Sequence, residues 1–307
     1  LSLSLSLSLS LSLSLSLSLS RTHTHTASVV LVVAGTDEHV GGISYMAFTS
    51  DGRRLACGCG DGAVMVWNTS VGASLASTTA HSGEVTGLAW VERLAQRTLV
   101  STGKDSAVKV WFEKRSASGV TLEQAWCNDW LKSLPLSVSV CSTAHSMFIA
   151  HSNGKVTVWD VSSPQLDVVQ THEFLAHDVG ATSVQVSRGG DLLVTGGKDA
   201  TAKLWQKNEE DGTWKGVALQ RSTGHAAPIT SVEFSHTARD FVSASDDGTA
   251  IVWNVERREP KFRVVAHDGA VLCATFLGDS ALVTGAKDKT IMVRLKGFLF
   301  VSFLPLW

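Results

Sequence analysis

The chain has 307 residues, 44% of them hydrophobic, with 26 basic and 28 acidic side chains and a net charge of −2. That is material for one large or two small domains with a real core, and charges mixed this evenly exclude the basic stripe of a direct nucleic-acid binder. Five cysteines at irregular spacing, Cys57, Cys59, Cys127, Cys141 and Cys273, form neither a disulfide framework nor a metal-ligand pattern. Reduced thiols in an intracellular protein are therefore expected, with the cytoplasm as first choice and the nucleus or the endoplasmic-reticulum membrane as alternatives.

In chain order, residues 1–20 alternate Leu and Ser, and residues 22–26 alternate Thr and His. Simple-sequence DNA translates this way, so residues 1–27 read as a low-complexity tract, disordered or artefactual. A signal peptide needs a continuous apolar run, which the tract lacks. The segment Ser28–Val33 reads as a first strand.

Beyond it, six segments end in the same kind of strand: AVMVWN (63–68), AVKVWF (107–112), KVTVWD (155–160), TAKLWQ (201–206), TAIVWN (249–254) and TIMVRL (290–295). Their tryptophans are Trp67, Trp111, Trp159, Trp205 and Trp253, with Arg294 in the sixth place, at gaps of 44, 48, 46, 48 and 41 residues. Six residues before each stands Asp61, Asp105, Asn153, Asp199, Asp247 or Asp288. A histidine precedes that turn residue by 21 to 24 positions in every repeat but the third: His39, His81, His177, His225 and His267.

Between His and Asp lie two short runs of alternating polarity, such as VTGLAW (85–90) and TLVST (98–102). Alternation marks half-buried strands, and the Gly, Asp and Asn between them mark tight hairpins. Four strands per unit at this period match a propeller blade.

These residues at fixed offsets resemble the WD-repeat (WD40) family from about residue 29 to 295. The resemblance implies an all-β propeller of four-stranded antiparallel blades: six, or seven with one incomplete. It places the propeller in residues 28–296 and leaves 297–307 as an apolar tail. That tail is shorter than the roughly 18 residues of a membrane helix; it reads as a last propeller strand, a truncated anchor or out-of-frame sequence. The resemblance also implies that Ser28–Val33 pairs into the last blade and closes the ring.

Recurring His, Ser/Thr and Asp could suggest a hydrolase triad. Yet His81, Ser101, Asp105 and Trp111 recur as His177, Thr195, Asp199 and Trp205, and again as His225, Ser243, Asp247 and Trp253. A hydrolase has one such set. The family resemblance implies structural tetrads instead, each a hydrogen-bonded chain from turn Asp to Trp. In the first repeat Cys57 replaces the hydroxyl; in the third Ile149 and Asn153 depart and the His is missing; in the sixth Arg294 replaces Trp. Blades one, three and six are therefore expected to be held less tightly. The Gly58–Gly62 run precedes a strand rather than a helix, so it serves a hairpin and not a phosphate.

The stretch 113–135 is the least regular, and its Trp126 and Trp130 are expected to pack beneath a loop. No catalytic residue, cofactor or metal is expected. The function implied is a non-enzymatic scaffold binding protein partners whose identity the residues do not reveal. Alternatives are a membrane-anchored propeller that regulates a small GTPase in vesicle traffic, and a subunit of an RNA-processing or ribosome-assembly complex.

Overall fold

The computed structural model describes residues 42–295 and 301–303, apart from 93–96, 118, 142, 144, 164–166, 220–223, 266 and 279–280. Blade one holds β1 (Ile43–Phe48), β2 (Arg54–Cys59), β3 (Ala63–Asn68) and β4 (Ala73–Thr79). Blade two holds β5 (Val85–Glu92), β6 (Arg97–Gly103), β7 (Val108–Ser116) and β8 (Gly119–Asn128). Blade three holds β9 (Pro135–Cys141), β10 (Ser146–His151), β11 (Lys155–Asp160) and β12 (Val169–Leu175). Blade four holds β13 (Ala181–Val186), β14 (Leu192–Gly197), β15 (Ala202–Lys207) and β16 (Trp214–Val217). Blade five holds β17 (Ile229–Phe234), β18 (Asp240–Ser245), β19 (Thr249–Asn254) and β20 (Glu259–Val265). Blade six holds β21 (Val271–Leu277), β22 (Ala281–Ala286), β23 (Ile291–Leu295) and β24 (Val301–Phe303).

Each blade is a four-stranded antiparallel meander with its strands in chain order. The protein is a six-bladed propeller. The last blade is completed from the C-terminal tail, where Ile291 pairs with Phe303 and Val293 with Val301. The strand expected there, Ser28–Val33, lies outside the described residues.

Local chemistry explains the repetition. The residue after each turn Asp or Asn takes a left-handed φ, between +61° and +87°, in all six blades. Gly62, Gly154 and Gly248 adopt it without a Cβ penalty, while Ser106, Ala200 and Lys289 accept the cost. Every innermost strand carries one bulged residue against β2, β6, β10, β14, β18 or β22.

The bulge re-aims that residue at the next blade. Ser44 donates to Val85 O at 2.6 Å, Thr86 to Pro135 O at 2.7 Å, Thr182 to Ile229 O at 2.5 Å and Thr230 to Val271 O at 2.6 Å. A second kind of bridge joins blades three and four, where the bulged residue is Leu136: Ser137 and Ser139 accept the Val184 and Val186 N–H groups, as Ser183 accepts the Val232 N–H at the next junction.

The core is split among the junctions between blades. Phe148, Val156 and Val158 of blade three meet Val184, Leu193 and Trp205 of blade four. Val194 and Leu204 then meet Phe234, Phe241 and Trp253 of blade five. The tryptophan of a blade thus faces the blade before it. Trp67 follows the rule around the ring, packing with Met46, Leu55 and Cys57 against Cys273 and Ile291 of blade six.

Candidate functional site

The side chains that looked like chemistry converge at the blade ends that carry the β2–β3-type turns and the loops between blades. In blade two, His81 Nδ1 lies 2.9 Å from Asp105 Oδ1 and Nε2 lies 2.8 Å from Ser101 Oγ. Trp111 Nε1 donates to Ser101 Oγ at 2.9 Å. Blade four repeats this with His177, Asp199 (3.0 Å), Thr195 (2.8 Å) and Trp205 (3.0 Å). Blade five repeats it with His225, Asp247 (3.1 Å), Ser243 (2.8 Å) and Trp253 (2.9 Å).

One protonation pattern satisfies every member. The indole N–H donates to the hydroxyl oxygen, the hydroxyl proton goes to Nε2, and Nδ1–H donates to the carboxylate. That requires neutral imidazole. Burial pushes His81, His177 and His225 below the ordinary histidine pKa, against the pull of the Asp beside each. Burial would raise the Asp247 carboxyl, but the Thr249 hydroxyl, backbone N–H groups and His225 outweigh it and hold it at about 2.

The irregular blades differ from one another. In blade six, His267 reaches Asp288 at 3.0 Å and Thr284 at 2.7 Å. Its Arg294, in the tryptophan's place, lies over the Phe262 ring at 4.6 Å. In blade one His39 lies outside the described residues, and with Cys57 in the hydroxyl position Trp67 Nε1 is buried with no hydrogen-bond partner among the described residues.

Blade three, which lacks the loop histidine, rebuilds the network from its own strands. His151 Nε2 lies 2.8 Å from Thr157 Oγ1, and Trp159 Nε1 donates to that oxygen at 2.9 Å. His151 Nδ1 faces the Ser133 carbonyl at 3.4 Å instead of a carboxylate. His151 stands where blades two and four have Gly103 and Gly197. A Cβ at Gly197 would lie 2.3 Å from His177 Nδ1, so the glycine makes room for an imidazole arriving from the loop. Blade three fills the same space from below. Sequence reasoning missed His151 and Thr157 because it searched the loop. The available signal was a histidine at the glycine position of the one repeat without a loop histidine.

The loop so relieved, 129–134, behaves differently from its counterparts. Trp126 packs edge-on against Trp159 with centroids 5.9 Å apart, as expected of a residue beneath a loop. Trp130 does not: it is 85% exposed, held by an Asx turn in which its N–H donates to Asn128 Oδ1 at 3.0 Å. The expectation that both pack inward is corrected for Trp130. Among the described residues no group of three or more His, Cys, Asp or Glu is placed to hold a metal ion, and no helix is long and apolar enough to cross a membrane.

The family model "WD domain, G-beta repeat" matches residues 30–68, 72–111, 168–206, 216–254 and 258–294. The chain belongs to the WD40 repeat family. The part of this WD40 propeller that the model passes over between residues 111 and 168 contains three of the four strands of blade three, the blade with the rebuilt network. Autophagy-related protein 16 of Arabidopsis thaliana is 25% identical over 243 residues, 78% of this chain and 44% of the relative. The U3 snoRNP-associated protein-like EMB2271 of the same plant is 26% identical over 161 residues, 48% of this chain and 32% of the relative. The guanine nucleotide-binding protein subunit beta of Oryza sativa subsp. indica is 25% identical over 279 residues, 83% of this chain and 70% of the relative. The chain thus spans less than half the length of the first two of these relatives.

Proposed function

We propose that this propeller is a non-catalytic, intracellular scaffold that binds a protein partner through the face bearing the His–Asp pairs. WD40 propellers commonly act as protein-interaction scaffolds. Trp130 carries the reading: an indole 85% exposed, on a loop whose structural duty has passed to His151. Tryptophan is the residue type most enriched among interface anchors. Leu134 and Val179 are exposed by 37% and 58%. Both flank one turn, since Ser152 N–H donates to Leu134 O at 2.9 Å and a Cβ on Gly180 would lie 3.1 Å from Ser152 O. Charged Asp129, Lys132 and Asp178 stand beside these apolar residues in the chain, giving the mixed rim of an interface.

The tetrads of His81, His177 and His225 play a structural part in this proposal. Each hydroxyl and ring nitrogen already has a partner within its own blade, which leaves no nucleophile or base poised toward solvent. For the identity of the partner, the relation to a G-protein β subunit, extending over most of both chains, favours a nucleotide-binding partner protein. The relation to a U3 snoRNP-associated protein favours an RNA-processing assembly reached through protein contacts.

The test is affinity capture from cell extract with the wild-type chain and with Trp130→Ala. The expected result is a defined protein partner whose capture by Trp130→Ala falls roughly tenfold or more, as for an interface anchor, with Tm unchanged. Capture of no protein, or of the same partner at the same level by both chains, would overturn the proposal.

A further inference from the structure

The opposite face of the propeller carries a site that the scaffold reading does not use. Four arginines, Arg53, Arg54, Arg97 and Arg115, surround a cavity of about 290 Å³ whose wall is completed by Asn68 and Ser70. They come from three strand ends and one turn: Arg53 and Arg54 at the start of β2, Arg97 at the start of β6, Arg115 near the end of β7. The site exists because the β7–β8 hairpin is longer than its counterparts, pairing out to Ser116 and Gly119. That extension carries Glu113 and Arg115 over the edge of blade one.

Glu113 organises the cluster. Its side chain is only 3% exposed and lies 3.4 Å from Arg54 Nε, 3.6 Å from Arg115 Nε and 4.0 Å from Arg97 Nη1. Arg97 also pairs with Asp51 at 2.8 Å. The carboxylates therefore hold three guanidinium groups in place without neutralising them. Four positive charges face two negative ones among the described residues, in a chain whose net charge is −2. Arg54 is nine-tenths buried and its Nε makes no hydrogen bond, although Glu113 Oε2 is near. The exposed Arg53 guanidinium makes no ion pair among the described residues.

A preorganised cluster with two surplus guanidinium charges is built for a dianion. A peptide carboxylate would cancel one charge; a phosphomonoester, carrying about −1.5 to −2 at neutral pH, cancels both and offers oxygens to several forks at once. Asn68 and Ser70 supply neutral donors beside it. A membrane surface would need more apolar area than the single exposed Val71 at the adjoining turn. A nucleic-acid track would need a stripe rather than one pocket. We propose that this pocket binds a phosphoserine or phosphothreonine on a partner protein. The proposal deepens the protein-scaffold reading and rests on it.

The test uses the full chain and fluorescence anisotropy with two degenerate peptide pools, identical except that one has a fixed central phosphoserine or phosphothreonine. The phosphorylated pool is expected to bind at least roughly tenfold tighter, because it gains charge-assisted hydrogen bonds that the unphosphorylated pool cannot make. Arg53→Ala with Arg115→Ala, both exposed positions, should remove that preference while Tm stays unchanged. Arg53→Lys with Arg115→Lys should retain part of it, keeping charge but losing the forks.

Equal binding of the two pools, or an undiminished preference in the Ala pair, would overturn the proposal. So would binding of vesicles containing phosphorylated lipid, or of inorganic phosphate, with no preference for the phosphopeptide. If phosphopeptide binding fails while capture through Trp130 persists, this inference falls alone and the scaffold reading stands.

Discussion

Blades three and four sit side by side and solve the same problem with different residues. Each must anchor the indole of an inner tryptophan, Trp159 or Trp205, through a hydroxyl and an imidazole. Blade four takes its imidazole from the preceding loop, leaves a glycine beneath it and closes the chain on a carboxylate. Blade three places the imidazole on the strand itself, moves the hydroxyl from position 149 to Thr157 and ends on a backbone carbonyl. The geometry at the tryptophan is nearly the same, 2.9 Å against 3.0 Å. What a blade requires is a buried donor–acceptor chain ending at the indole, not a particular residue order. The cost of leaving such a chain incomplete enforces this. The difference also frees one loop, and that loop presents Trp130.

The comparison can be broken most forcefully at the glycine. Gly197→Ala drives a Cβ to within 2.3 Å of His177 Nδ1 and 2.5 Å of Asp199 Oδ1. It should cost about 3 kcal/mol, at the upper end for overpacking. His151→Ala, at the equivalent place in blade three, creates no clash and should cost about 1–2 kcal/mol for the Thr157 hydroxyl, whose proton loses its acceptor while the Trp159 N–H keeps its bond to the Thr157 oxygen. Urea unfolding of both variants checks the order; equal losses would mean the two blades do not differ in where the imidazole enters.

Next comes the turn residue. Asp199 accepts from His177, from the Thr201 hydroxyl and from the Thr201 N–H, whereas Asn153, among the described residues, accepts only from the Lys155 N–H in its turn. Asp199→Ala should cost about 2 kcal/mol and Asn153→Ala about 0.5 kcal/mol. The reverse order in thermal melts would contradict this map.

The pH dependence separates the blades from the ring's interior. His81, His151, His177 and His225 all have depressed pKa values, burial being the first cause in each. The unfolded imidazoles bind protons first, so their contribution is intact above the ordinary value of 6.5 and is lost as pH falls below it. Asp105 and Asp199, also depressed, extend the loss below 3.8.

Glu233 works the other way. Burial on the innermost strand of blade five raises it from 4.5 to about 8, despite the Thr275 hydroxyl at 2.7 Å. Its contribution is intact below 4.5 and is lost as pH rises through 8. Glu233→Gln should therefore leave the acid loss in place and flatten the decline of Tm on the alkaline side. A Tm of the Glu233→Gln variant that does not fall between pH 7 and pH 5 would dispose of the histidine assignment.

The smallest effect is a gain. Cys57→Ser puts an oxygen at the position ten residues before Trp67, the separation at which Ser101, Thr195 and Ser243 accept their indole N–H. It should stabilise by about 0.5–1 kcal/mol. No rise in Tm would show that blade one differs from blade four by more than its missing hydroxyl.

Much of this molecule was readable from the chain because its repeats are local. Period-two alternation located β1, β13 and β17 at their observed bounds, since a strand's side chains report their own burial. The fixed offset from Asp to Trp announced the hairpin between the second and third strands of every blade, since that pairing lies within one short stretch of sequence. Three tetrads were legible for the same reason. What sequence could not decide was everything set between blades. The completion of blade six by Val301–Phe303, the re-aimed hydroxyls of Ser44 and Thr86, the imidazole entering blade three from His151, the exposure of Trp130 and the gathering of four arginines around Glu113 all join residues far apart in the chain or depend on what a neighbour leaves open. A repeat determines its own hydrogen bonds; the space around it, and hence which side chains meet solvent or one another, is settled only when the six sheets pack.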